Sequence, residues 1–366
     1  MISTTIFPGR YIQGYNALHR LGHEMVRLGQ KGLVICDPIV LEQVLPNYLP
    51  EIQEAVKVEI EKFNGECSDE EIARLSQTAE QTGCDLIVGI GGGKALDTAK
   101  AVAYQVKTPV VVVPTIASTD APCSALSVIY SPDGQFKRYL ILPSNPNVVL
   151  LDTRVIAQAP VRFLVSGMGD ALATWFEAKS VKNKYAGNMT GDIGSMTAYA
   201  LAQLCYETLL QYGLAAKRSA AVQAVTPALE HIVEANTLLS GIGFESGGLA
   251  AAHAIHNGLT VLEPTHHYYH GEKVAFGTLT SLFLTDKPTS IIDEVFSFCE
   301  LIGLPTTLAD IGLAVVSDEE LMQAAEAACA EGETIHNEPI PVSPSSVLAA
   351  MKTADAYGQR RKQHRN

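Results

Sequence analysis

Between residues 31 and 152 the chain alternates short β-rich runs with stretches whose apolar positions recur at helical spacing. Residues 33–36 predict a strand ending at Asp37 and Pro38, and residues 56–60 alternate apolar and polar positions as a half-covered strand does. Residues 86–88 predict a strand that runs into glycines, while 110–113 are wholly apolar and closed by Pro114. Between Cys67 and Gly83, Ser68 followed by Asp69, Glu70 and Glu71 supplies an N-cap and early acids for a helix; a second helix is predicted over about 94–105. Strand and helix repeated in this order predict parallel βαβ units and a doubly wound sheet. Residues 125–130 and 135–142, joined through Ser131, Pro132, Asp133 and Gly134, read as a β-hairpin, and 148–151 as one more strand ending at Asp152.

From about residue 161 strand signals nearly vanish. Ala- and Leu-rich segments with helical spacing cover 161–181, 191–212, 219–240 and 246–260, and return at 273–286, 289–302 and 318–331. The pattern therefore predicts a sheet domain over 1–160 and a helical domain over 161–366, which suits a chain too long for one ordinary core. With 47% hydrophobic and 18% charged residues there is ample apolar material to bury, so bulk disorder is excluded.

No apolar run approaches the ~18 residues that span a bilayer, and the first ten residues lack the basic and apolar regions of a secretory signal. A formal net charge of −13 argues against a nucleic-acid partner. The one basic cluster, Arg360 to Arg365, reads as a solvated C-terminus. Seven cysteines, an odd number with no CxxC spacing, disfavour both a disulfide framework and a cysteine zinc site. A reduced, cytoplasmic protein is expected.

Two constellations carry chemistry. Gly89, Gly91, Gly92, Gly93, Lys94 and Asp97 leave a predicted strand and open a helix, an arrangement that brings free N–H groups and positive potential to a phosphate. It is neither the G-x-G-x-x-G fingerprint, because Lys94 stands where glycine is needed, nor a Walker A loop, because Val88 and Ala95 break that pattern. A pyrophosphate site is favoured over a tight turn without a ligand. Asp37 at the end of an earlier strand suits ribose hydroxyls and repels a 2′-phosphate, predicting NAD over NADP; a turn-forming Asp before Pro38 is an equal alternative. The polar loop Thr115 to Asp120 follows the apolar strand and should face the ligand crevice, making Asp120 a site candidate.

Seven of the ten histidines fall between 231 and 336, so imidazole chemistry belongs to the helical half. His253 and His256 lie three apart on a predicted helix; His266, His267 and His270 follow in a loop entering the next one. Asp170 follows Gly167 and Gly169. One carboxylate with two imidazoles is a recognised three-ligand catalytic zinc set, though histidines that are merely hydrogen-bonded remain an open alternative from spacing alone.

Together, Gly91-Gly92-Gly93-Lys94 with Asp97, Pro114-Thr115 with the 120–124 segment, Gly169-Asp170 and the run from His270 through Glu272 and Lys273 resemble the iron-containing (group III) alcohol dehydrogenase superfamily, and within it a glycerol-oxidising branch. The resemblance covers nearly the whole chain. It implies an α/β N-terminal domain with a Rossmann-like parallel sheet, an all-α C-terminal domain (the dehydroquinate synthase-like fold) and a metal between them. It further implies Asp170, His253 and His270 as zinc ligands that also meet the substrate. Asp37, Gly93, Lys94, Thr115, Ser118, Ser124, Leu126 and Tyr130 would contact NAD, with Gly91, Gly92 and Asp97 completing that site. Asp120 would contact glycerol, and the assembly would be a homo-octamer.

Iron-dependent relatives carry a histidine four residues after the aspartate; here Thr174 occupies that position, which favours zinc with an open site. The implied reaction is NAD-dependent oxidation of glycerol, and of other small vicinal diols such as 1,2-propanediol, to the ketone by hydride transfer from a zinc-bound alkoxide. His256 is a proton-relay candidate. Cyclisation of a sugar phosphate and oxidation of glycerol 1-phosphate are disfavoured, since the sequence shows no Lys/Arg cluster near the expected ligands. A non-catalytic NAD sensor would have no reason to keep a ligand set.

Overall fold

The structure, a computed structural model, describes residues 1–364. It divides into two compact units, one of Ile6–Val161 with Arg218–Gly241, the other of Met1–Thr5, Arg162–Lys217 and the chain from Ile242 onward. The contiguous division expected at 160/161 therefore needs correcting, because two segments change sides: 1–5 join the helical unit and 218–241 join the sheet unit.

The sheet unit holds eight strands: β1 (Tyr11–Gly14), β2 (Lys31–Cys36), β3 (Lys57–Lys62), β4 (Leu86–Gly91), β5 (Val110–Pro114), β6 (Leu126–Tyr130), β7 (Phe136–Ile141) and β8 (Val148–Asp152). Six of them form an all-parallel sheet in the order β1-β8-β5-β4-β2-β3, and β6 and β7 pair as the antiparallel hairpin. Its helices before residue 161 are α1 (Leu21–Val26), α2 (Pro38–Gln43), α3 (Leu49–Ala55), α4 (Asp69–Thr82), α5 (Gly93–Val106) and α6 (Thr153–Gln158). The apolar runs of the inner strands conceal a period of two. Val34, Val88, Ile90, Val111, Val113 and Leu150 enter one core with Leu21, Met25 and Ile52. From the opposite face, Gly89 lets α5 lie so close that a β-carbon there would stand 2.5 Å from that of Ala99. Burial on both faces is what a central parallel strand requires. The α4 helix starts as its sequence predicts, with Ser68 accepting from the Glu71 amide at 3.2 Å, and ends at Gly83 in the left-handed conformation.

The next strand after β2 lies on one side of it, and β4 lies on the other. Strand order thus reverses at β2/β4, the place where open α/β sheets bind ligands beyond the strand ends. Asp37 follows β2 there, and the three glycines follow or close β4.

The remaining helices are α7 (Val161–Lys184), α8 (Met196–Ala221), α9 (Pro227–Glu234), α10 (Ser240–Gly247), α11 (Ala251–Leu259), α12 (His270–Leu284), α13 (Thr289–Ile302), α14 (Asp318–Ala328) and α15 (Pro344–Gln363). Two expected helices are interrupted. The run 219–240 breaks between α8 and α9, where Gln223 has φ 54° and Pro227 suits the first turn of a new helix capped by Thr226. The run 246–260 breaks at Gly248, φ 102°. A π-helical turn, Ala235–Leu239, joins α9 to α10.

In the helical unit α11, α12, α14 and α15 share a core containing Ile255, Phe276, Leu321, Val347 and Met351. The expectation of a solvated basic tail is overturned for the described part of that cluster. Arg361 forks onto Glu300 at 2.8 and 3.1 Å and reaches Asp293, while Lys362 binds Asp310. Helical periodicity continues to residue 363 and sets both cations against acids of neighbouring segments; Arg365 lies outside the described residues. All seven cysteines are free thiols. Among the described residues no helix is long and apolar enough to cross a membrane.

Candidate active site

At the end of β4, Gly91 has φ 154°, and a β-carbon there would meet that of Asp37 at 2.9 Å. Only glycine lets the loop turn this close to the end of β2. Gly92 is the N-cap of α5 and offers no side chain, and the position of a Gly93 β-carbon is nearly open space. The first turn of a 14-residue helix thus presents its amides without a local cap. Asp37 caps α2, its Oδ1 accepting from the Ile39 amide at 3.0 Å. Thr115 donates its amide to Gly91 at 3.1 Å, which ties β5 to the loop. Lys94 pairs with Glu66 at 2.7 Å and lies over the Tyr130 ring, 4.9 Å from its centroid. Leu126 and Tyr130 share the half-exposed face of β6, Ser118 is half-buried, and Ser124 donates to the Ala121 carbonyl at 2.9 Å.

Asp97, expected at the cofactor, is turned inward. Its carboxylate is buried, ion-paired to Lys100 at 2.9 Å, and accepts from the Val128 amide at 3.0 Å. Lys100 is itself fully buried and donates to the carbonyls of Ala121 (3.1 Å), Ser124 (3.4 Å) and Leu126. The pair staples the 121–126 segment to α5 instead of offering a free carboxylate. Sequence reasoning missed Lys100, although its i,i+3 spacing from Asp97 is a readable signal. Asp120 is buried and accepts from the Ser240 hydroxyl at 2.7 Å, and Asn236 donates to the Ala117 carbonyl at 3.0 Å. These bonds show why 218–241, with its π turn, packs with the sheet.

In the helical unit Asp170, His253 and His270 converge, with one donor atom from each lying within 4.8 Å of the others. Both imidazoles turn Nε2 toward Asp170 Oδ1, at 3.3 Å for His253 and 3.0 Å for His270. Both Nδ1 atoms are engaged elsewhere, that of His253 on Glu177 Oε2 at 2.6 Å and that of His270 on His256 Nε2 at 3.1 Å. Three potential ligand atoms gathered within 4.8 Å, with the outer ring nitrogens held, form a donor set that fits a divalent cation.

Local structure delivers each donor. Asp170 sits mid-helix in α7, where Gly169 allows an approach no other residue permits: its β-carbon would lie 2.3 Å from the Gly271 carbonyl oxygen. His270 opens α12, and Glu272 accepts from the Tyr269 amide at 2.8 Å to close that helix start. Arg162 holds Glu272 through two bonds of 2.6 and 2.8 Å and stacks over the Tyr269 ring. Burial opposes ionisation of Asp170, but the imidazoles of His270 and His253 outweigh it and hold the carboxyl well below the usual range. Burial likewise disfavours a charged His253, yet Glu177 and Asp170 on either side raise it well above an ordinary histidine. Burial, reinforced by His270 and Lys273, pushes His256 well down and keeps it neutral. Thr174 is fully buried. His266 bonds the Thr260 carbonyl at 2.8 Å, and it and His267 are exposed. Sequence reasoning also missed Glu177, though seven residues after Asp170 on one helix places it two turns along the same face.

The chain and its fold are similar to those of known proteins. The family model for iron-containing alcohol dehydrogenases matches residues 8–153. The chain is 67% identical over 362 residues to a glycerol dehydrogenase of Thermotoga maritima, covering 99% of each. It is 53% identical to one from Escherichia coli, over 96% of each chain. The solved glycerol dehydrogenase of Schizosaccharomyces pombe superposes with a TM-score of 0.94 at 39% identity, covering 99% of this chain and 93% of that one. The chain belongs to the iron-containing alcohol dehydrogenase superfamily and, within it, to the glycerol dehydrogenase group.

Proposed function

We propose that this enzyme oxidises glycerol, and other small vicinal diols such as 1,2-propanediol, with NAD, yielding dihydroxyacetone from glycerol together with NADH and a proton. The observation that carries this reading is the convergence of Asp170, His253 and His270 in a chain 67% identical to a glycerol dehydrogenase. Zinc held by these three residues would supply the Lewis acidity that lowers the pKa of an alcohol hydroxyl. NAD would supply the hydride acceptor.

The chain's own residues do the rest. Asp170 contributes the negative charge that balances a cation in a fully buried setting. With a cation bound, His253 and His270 would offer it their Nε2 lone pairs, each keeping its ring proton on Nδ1 toward Glu177 and His256 respectively. His256, neutral and bonded to His270 Nδ1, positions that ligand and is the relay candidate for the released proton. Asp120 would bind a second hydroxyl of the diol. The glycine loop would hold the pyrophosphate on the amides of α5, with Thr115, Ser118, Ser124, Leu126 and Tyr130 around the cofactor. Cytoplasmic location and a homo-octameric state belong to this reading through family resemblance.

The test is NADH formation with glycerol before and after chelation, followed by zinc or ferrous iron. Activity lost with the metal and restored by zinc is expected. Full turnover in verified metal-free protein would sink the metal role, and no turnover with any diol would sink the substrate class.

Asp37 has its own test. Asp37→Gly keeps most of the α2 cap, since glycine there costs only a few tenths of a kcal/mol, but removes the carboxylate beside the loop. Discrimination against NADP should relax about tenfold or more, the weight of one hydrogen bond to a charged group. Measured kcat/KM ratios for the two cofactors check this, and an unchanged ratio removes Asp37 from the ribose site.

A further inference from the structure

Helix α11, which carries His253, begins without a cap of its own. Its N-cap is Ala250, whose side chain cannot accept a hydrogen bond. Two carboxylates from outside the helix fill the gap. Glu177 Oε1 accepts from the amides of Ala250 at 2.9 Å and His253 at 3.0 Å, and Glu338 Oε1 accepts from Ala251 at 3.1 Å. Glu177 then does something Glu338 does not: its second oxygen lies 2.6 Å from His253 Nδ1.

All three groups facing Glu177 in this cluster are N–H donors when His253 carries its proton on Nδ1. Carboxylate oxygens accept, so the three contacts are satisfied together by that tautomer. Nδ1 and Nε2 sit on opposite edges of the imidazole, and Nε2 is the atom that faces Asp170 at 3.3 Å. Glu177 is therefore on the far side of the ring from the donor cluster and is not itself a ligand. Building on the metal centre described under Proposed function, we propose that Glu177 is the positioning residue of that centre: it fixes His253 in the Nδ1–H form, leaving the Nε2 lone pair for the cation. One buried side chain thus couples the start of α11 to the orientation and tautomer of a ligand.

Glu177→Gln tests this with almost no change of shape. An amide has one oxygen and one NH2. If the oxygen stays on the two backbone amides, the NH2 faces Nδ1 and drives the proton to Nε2, blocking the metal. If the amide flips, the first turn of α11 loses its acceptor. Zinc affinity, read by competition with a chromophoric chelator, should fall about 10- to 100-fold in protein that circular dichroism shows to be folded.

Glu338→Gln is the control. It caps the same helix start but touches no part of His253 in the bonds above, so its zinc affinity should stay within about twofold of the parent. Unchanged affinity in Glu177→Gln, or an equal loss in Glu338→Gln, would overturn the positioning role. Should Glu177→Gln fail to fold, a zinc-loaded structure of the unaltered protein decides. His253 bound through Nε2 with Nδ1 on Glu177 supports the proposal; ligation through Nδ1, or by Glu177 itself, refutes it. A parent protein that binds no divalent cation would instead remove the metal centre, and the proposal with it, before any variant is compared.

Discussion

Asp170→Asn and His253→Ala should each lose tightly bound metal and at least about a thousandfold in kcat/KM, because the several kcal/mol that a Lewis acid contributes to the transition state disappears with it. Asp170 is fully buried and is the one carboxylate among the three converging donors. An amide at that position keeps the shape but not the charge, and a buried cation without its counter-charge is costly. His253→Ala removes a donor outright and leaves Glu177 facing a cavity. The glycine loop and Asp37 belong to the other compact unit, so NAD affinity should be nearly unchanged. Metal analysis, steady-state kinetics with glycerol and a fluorescence titration with NAD separate these effects. Near-normal turnover by either variant would remove it from the ligand set.

Gly271→Ala should damage the same centre through packing alone. A β-carbon at 271 would lie 1.8 Å from the Ser166 carbonyl oxygen and 2.9 Å from the Asp170 amide nitrogen. These are backbone atoms of α7, held in the turn that presents Asp170, and they cannot rotate aside as a flexible side chain does. Helix α12 must then move away from α7, taking His270 with it. We expect a stability loss of about 3 kcal/mol, the upper end for inserting one methyl group into a packed interior. Zinc affinity should fall as well, since ligand sites tolerate displacements of only about half an ångström. Thermal unfolding and chelator competition report the two losses separately. A variant as stable and as tight-binding as its parent would show that the close crossing is unimportant.

Much of the sheet unit was legible in the linear pattern. Its inner strands are short and apolar, its glycines and prolines punctuate them, and Ser68 with three acids announces α4; each signal is local and survives without tertiary context, whereas the edge strand β1 carried no such signal. The helical half was less legible at its joints. Continuous Ala- and Leu-rich sequence hid the breaks at Gln223 and Gly248, because composition there favours helix while the backbone turns to satisfy packing. Helix α15 was missed for a related reason. Its basic end looks solvated in isolation, yet Arg361 and Lys362 find Glu300, Asp293 and Asp310, acids more than fifty residues earlier.

The candidate site divides along the same line. Residue types and spacing alone indicated a glycine loop after a strand, an aspartate preceded by two glycines and two histidines a turn apart. They left open whether those histidines were ligands or merely hydrogen-bonded. Only the folded chain brings Asp170, His253 and His270 within reach of one point, because three separate helices must meet there and the crossing of α7 with α12 requires both Gly169 and Gly271. Only the fold turns Asp97 away from the loop toward Lys100, and only the fold sets Glu177 behind His253. Elements and the kinds of chemistry available could be read along the chain, since periodicity and turn residues act over a few positions. Which groups share a proton, a charge or a lone pair follows only from folding, because those interactions depend on distances of about 3 Å between residues far apart in the chain.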